Sequence, residues 1–81
     1  MKGTVEAMGR TNGLLAILTD RGDYTIAAPM SGQVEIGDRI DGPLNRVGRQ
    51  DLTNLTKRLS FPVVIEDWSC DASRARTLLS K

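Results

Sequence analysis

Apolar and polar residues alternate in short runs along this chain, and turn-forming residues separate the runs. In Gly3–Gly9, Val5 and Ala7 fall on one phase and Thr4, Glu6 and Met8 on the other, the period-two pattern of a strand. Arg10-Thr11-Asn12-Gly13 follows. Asn-Gly is a strong hairpin signal because both residues tolerate positive φ. Leu14–Thr19 is apolar nearly throughout. Its shortness, its flanking turns and β-branched Ile17 and Thr19 favour strand over helix. Its continuous apolarity implies that both faces are covered, or that one is a contact surface. Asp20-Arg21-Gly22-Asp23 makes a second turn. In Tyr24–Ala28, Tyr24 and Ile26 share the phase read as inward, and Thr25 and Ala27 share the other; Pro29 ends the run, having no N–H for a ladder.

The second half is less regular. Ser31-Gly32 is a loop. A Gly37-Asp38 turn leads into a short strand at Arg39–Ile40, running toward Leu44; the glycine supplies unusual φ and the aspartate bonds nearby amides. Asn45–Asp51 reads as a loop. Leu52, Leu55 and Leu59 have helical spacing, but Leu52–Thr56 also suits a short strand, which is the reading preferred here. Phe61–Trp68 carries Val63, Val64 and Ile65 and has high β propensity, with Pro62 fitting only near its start or on an edge. Ser69 or Asp71 then caps a helix over Ala72–Leu79, with Leu78 and Leu79 packing it back. The sum is a mainly β fold: a single domain over residues 1–81, a five-stranded small barrel with a short C-terminal helix at about 72–79.

Composition narrows the chemistry more than it suggests any. A chain of 81 residues buries only roughly 60–65% of its unfolded surface, which leaves little room for a large cofactor cavity, and none is expected. The net charge is +1, but it divides unevenly. Met1–Asn45 has four basic residues against six acidic; Arg46–Lys81 has seven against four. There is no histidine and one cysteine, Cys70. That removes His-dependent nucleophilic sites, His general bases, structural zinc and iron–sulfur clusters. No Gly-rich phosphate loop is present. The aspartates at 20, 23, 38 and 41 read as turn residues, so no enzyme and no metal site is expected. The lone cysteine and the absence of an apolar leader or a membrane-length run favour a cytoplasmic setting without membrane contact. Cys70 lies near the helix start, a position that lowers a thiol pKa, yet a lone cysteine without histidine reads first as a packing residue.

Met1-Lys2-Gly3-Thr4-Val5, Asn12-Gly13-Leu14-Leu15-Ala16-Ile17, Gly22-Asp23-Tyr24-Thr25-Ile26 and Ile36-Gly37-Asp38-Arg39-Ile40 together resemble the layout of cold-shock domains, five-stranded barrels of the oligonucleotide/oligosaccharide-binding (OB) type. The layout is also similar to that of small bacterial proteins without an assigned activity. The cold-shock resemblance spans the first half of the chain and implies single-stranded nucleic-acid binding. That family stacks bases on exposed aromatic rings, and the positions aligned with those rings here are Leu14, Ala16, Thr25 and Ala27. Two readings follow. The first is weak RNA or single-stranded DNA binding through Lys2, Arg10, Arg46, Arg49, Lys57 and Arg58. The second is a protein-interaction or homodimer surface made by Leu14, Ala16, Thr25 and Ala27.

Overall fold

In the computed structural model, which describes residues 1–81, the turns divide the chain into two three-stranded meanders. The first comprises β1 (Lys2–Met8), β2 (Leu15–Thr19) and β3 (Tyr24–Pro29). The second comprises β4 (Arg39–Asp41), β5 (Gly48–Asn54) and β6 (Leu59–Cys70). Every neighbouring pair is antiparallel, and the ring closes in the order β1-β2-β3-β6-β5-β4. Helix α1 (Ala72–Leu79) follows β6 directly. The chain thus forms the expected small barrel with a terminal helix, built from six strands rather than five. Short β4 pairs with β1 on one side and β5 on the other, and so completes the ring.

Strands β2 and β3 are largely buried on both faces, whereas β1 is covered mainly on its barrel side. Inside the barrel, Val5, Leu15, Ile17 and Ala27 meet Ile40, Leu52, Phe61, Val63 and Ile65. Leu44, from the loop after β4, joins them and is fully buried. Thr25 Oγ donates a 2.6 Å hydrogen bond to the Leu44 carbonyl, which ties this loop into the barrel. On the outer face, Ala16, Ile26 and Cys70 pack with Ala75 of α1, and Ala7, Leu14, Tyr24, Leu78 and Leu79 surround them. An eight-residue helix is too short to persist alone in water. Asp71 caps it by accepting from the Arg74 N–H at 2.8 Å, worth ~1 kcal/mol; burial against the outer wall supplies the rest. Asp71, not Ser69, is the cap.

Pairing changes several faces that alternation alone predicts. Val5 pairs with Ile17 but Ala7 pairs with Ala16, so Glu6 is an extra residue in the ladder. A bulge of this kind reverses the phase. Val5 therefore enters the barrel core and Ala7 the outer cluster, rather than sharing a face. In β3 the predicted phase is inverted. Ile17 pairs with Thr25 and Leu15 with Ala27, which places Thr25 and Ala27 inside. Tyr24 and Ile26 lie outside, beneath α1.

The remaining differences lie in the second meander. Gly48–Asp51, expected as loop, is the first half of β5, because twelve-residue β6 pairs with it from Ile65 through Leu59. Leu55 and Thr56, expected as strand, belong to the following turn, in which Arg58 has φ +58°. Leu52 is buried whereas Leu55 and Leu59 are exposed, so the helical spacing of the three has no structural counterpart. Pro62 sits inside β6, but its carbonyl accepts from Met30 N–H beyond the end of β3. Its missing donor therefore falls where the neighbouring strand has ended.

Gly3 shows how closely β1 and β2 approach. A Cβ built there lies 2.7 Å from the Leu18 carbonyl oxygen and 2.8 Å from Ile17 Cγ2. The nearer contact is backbone and cannot rotate away. Gly3→Ala is expected to lower stability by about 1–3 kcal/mol, read as a lower urea midpoint with unchanged slope. An unaltered midpoint would mean that β2 moves aside freely.

Candidate functional site

The two faces of the wall leave one concave feature. A cleft of about 500 Å³ lies between α1 and the outer surface of the β1–β2 hairpin. It exists because the residues meeting there are small: Ala7 and Ala16 from the strands, Ala75 from the helix. Tyr24 and Leu79 add apolar wall. Two arginines line it from separate elements, Arg10 in the turn after β1 and Arg76 in the last turn of α1. Neither is engaged by a carboxylate, whereas Arg21, Arg39, Lys57 and Arg74 all are. Asn12 fixes the hairpin turn to the helix end. Its amide nitrogen donates to the Leu78 carbonyl at 3.0 Å and to the Lys81 carbonyl at 3.3 Å, while its carbonyl accepts from Leu14 N–H.

The six cations singled out from the sequence do not converge. Lys2 opens β1, and Arg10 reaches the cleft. Arg46 and Arg49 sit at the beginning of β5, and Lys57 and Arg58 follow its end. Five strand residues, Gln50–Asn54, lie between Arg49 and the turn that carries Lys57 and Arg58, roughly 17 Å at the usual rise of about 3.3 Å per residue. Five of the six are exposed; Lys57 is not free, because its ammonium lies 2.9 Å from Asp38 Oδ2 and 3.0 Å from Glu35 Oε1.

That ion pair belongs to a polar knot. The buried Asp38 carboxylate also accepts from Asn54 Nδ2 at 2.7 Å and from the Glu35 N–H at 3.0 Å. Asn54, buried as well, accepts from the Lys57 N–H through its own carbonyl. Burial alone pushes the Asp38 carboxyl upward, but the Asn54 amide, the Glu35 N–H and the Lys57 ammonium outweigh it and hold the group below the ordinary carboxylate range. The Asp38 and Glu35 carboxylates in turn raise Lys57. The Gly37-Asp38 turn thus does what the sequence suggests, and it also recruits a cation that the sequence alone assigns to a ligand.

Leu14, Ala16, Thr25 and Ala27 do not share a surface. Ala16 is 2% exposed beneath α1, Thr25 and Ala27 are 1% and 0% exposed on the barrel side, and Leu14 is half-buried at the helix seat. Among the rings, Phe61 is in the barrel core and Tyr24 lines the cleft. Trp68 is 37% exposed, with the Arg21 guanidinium 5.8 Å from its ring centre. The turn aspartates are all in use. Asp20 pairs with Arg39, Asp23 with Arg21 and the Thr19 hydroxyl, and Asp41 with the terminal ammonium. No three groups of metal-ligating type come together. Cys70 is buried, and burial together with the Asp67 charge pushes its thiol up. The nearby helix start does not lower it, which corrects the expectation from position alone. Asp67 itself is raised by burial and lowered more by its bonds to Arg74 and to the Trp68 N–H, for a net shift downward.

Arg76 is the cleft residue that sequence reasoning passes over. Its one signal is that Ala72, Ala75, Arg76 and Leu79 recur at three- and four-residue spacing, which puts them on one helix face.

Two measurements follow. A carboxyl held low in the folded state adds stability above its unfolded pKa and loses it as pH falls through the folded value. Asp38→Ala is expected to cost on the order of 2 kcal/mol at neutral pH, and Asp38→Asn to flatten the fall of stability below about pH 4. A stability–pH curve parallel to that of the parent protein would remove the assignment. For Cys70, a thiol reagent should label the native protein slowly and the denatured protein at once; equal rates would show an open thiol.

Compared with known proteins, the chain matches no family model, no curated protein and no solved structure.

Proposed function

We propose that this protein is a non-catalytic binding module that engages single-stranded nucleic acid weakly and with little sequence preference, through its phosphates. The observation that carries this reading is the division between paired and unpaired charge. Six of the ten acidic side chains are held in ion pairs, whereas five of the six cations named above have no carboxylate partner. Net charge understates how much positive charge is free to meet a polyanion. On this reading the barrel is a relative in layout of the cold-shock and OB-type binders, acting in the cytoplasm with its thiol reduced. It keeps the opening meander and the Gly37-Asp38 turn. It lacks the ring platform, since Thr25 and Ala27 face inward and Ala16 is under α1. Base–aromatic stacking is worth about 1–3 kcal/mol per base. Without it, affinity rests on counterion release and stays low.

A protein-contact role for Leu14, Ala16, Thr25 and Ala27 has less support, because three of the four are covered within the chain itself.

Anisotropy titration of a labelled mixed-sequence oligonucleotide tests the proposal. Three phosphate contacts give a slope of about −2 in log affinity against log salt for a single strand. Binding should therefore weaken on the order of tenfold between about 50 and 200 mM salt. Removing two cations in Arg46→Ala/Arg49→Ala should make the slope shallower by roughly 1. No binding at the lower salt overturns the proposal, as does binding indifferent to salt.

A further inference from the structure

We infer that the cleft between α1 and the β1–β2 hairpin is a separate small-molecule site, for a compact apolar ligand carrying one anionic group, a carboxylate or a phosphate monoester. This inference does not rest on nucleic-acid binding and, Arg10 apart, uses a different part of the surface.

Three features of the cleft support it. The first is size. About 500 Å³ falls within the range of roughly 300–1,000 Å³ typical of small-ligand sites. The second is the combination of linings. Ala7, Ala16 and Ala75 give an apolar floor too shallow to fill the space, and Tyr24 adds a ring with a hydroxyl. Such a floor suits an apolar body, because burying it removes hydrocarbon from water on both sides. The third is charge. Arg10 and Arg76 line it from separate elements, the hairpin turn and the helix, and neither has a carboxylate partner. The negative end of the helix dipole accounts for a cation at Arg76; it does not account for a second one from the hairpin. Guanidinium forks match carboxylate and phosphate oxygens through paired N–H donors. One anion between the two would neutralise charge that the protein leaves uncompensated.

The site is also held in shape before anything binds. Asn12 clamps the turn bearing Arg10 to the Leu78 and Lys81 carbonyls at the helix end bearing Arg76. Gly9 allows this closeness. A Cβ there would fall 2.0 Å from the Asn12 carbonyl oxygen and 3.0 Å from the Leu79 carbonyl oxygen. With the two backbone segments fixed relative to each other, a ligand has only the arginine side chains left to order.

Amide-resolved NMR titration of the full chain with phenyl phosphate, benzoate and benzyl alcohol tests the inference. The expected result is saturable shifts in residues 7–12 and 72–80 with at least one of the two anions, and a response at least tenfold weaker to the neutral alcohol. The two anion arms tell phosphate from carboxylate preference. Arg76→Gln should weaken anion binding about tenfold or more, the loss of one charge-assisted pair. Ala72→Trp, at an exposed position lining the cleft, should block it while leaving the spectrum of the barrel unchanged. No saturable shift with either anion up to about 10 mM, the weak end of fragment binding, overturns the inference. So does an equal response to the alcohol, or binding undiminished in both variants. Oligonucleotide affinity measured in Ala72→Trp separates the two proposals: it is expected to be unchanged, and the cleft can fail while phosphate binding at β5 stands.

Discussion

The structure depends on two adjacent strands, β2 and β3, that have to be dry on both sides. Leu15 and Ile17 of β2 project into the barrel while Ala16 between them projects out. The outer side of β3 carries Ile26, which is completely buried. Leaving an isoleucine of this kind in water forgoes roughly 2 kcal/mol. A barrel alone cannot cover that side, so the chain supplies α1. The bulge at Glu6 serves the same end. It sends Val5 inward and Ala7 outward, so one strand contributes to both layers. A cover made of alanines against alanines packs closely at Ala75 and Ala16. The same short side chains, with Ala7, leave room beside that contact, and the cleft is therefore a by-product of how the wall is sealed.

Charge follows a similar economy. The acidic residues are mostly spent on turns and knots within the chain, with Asp38 the deepest instance. The cations are spent less often. A protein whose formal charge is close to neutral thereby presents a surface on which most unpaired charge is positive. These cations are spread over separate elements, which on the proposed reading fits a flexible polyanion that touches a few of them at a time.

Local features were legible in the sequence because their causes are local. Asn12-Gly13 and Asp20–Gly22 form the turns their side chains favour, and Gly13 and Gly22 have φ of +69° and +92°. The helix over Ala72–Leu79 follows from its cap and spacing. What could not be read is what depends on a distant partner. The inward face of β3 is chosen by its register with β2, so Tyr24 and Thr25 exchange the places that alternation assigns them. Gly48–Asp51 is polar and looks like loop until long β6 offers it a ladder. Lys57 looks free until Asp38, nineteen positions earlier, claims it. The cleft joins Arg10 to a helix near the other end of the chain, and nothing local to either marks the pairing.

The seat of α1 also imposes a dependence. Ile26 and Cys70 come from β3 and β6, and the strands that carry them meet only when the two meanders have joined into one ring. The helix is too short to persist without them. Its seat therefore depends on the β3–β6 pairing, while the ring of strand pairings that closes the barrel does not include it. The cleft, the Asn12 clamp and the cover over the thiol all involve the seated helix, so a change that unseats it removes the three together.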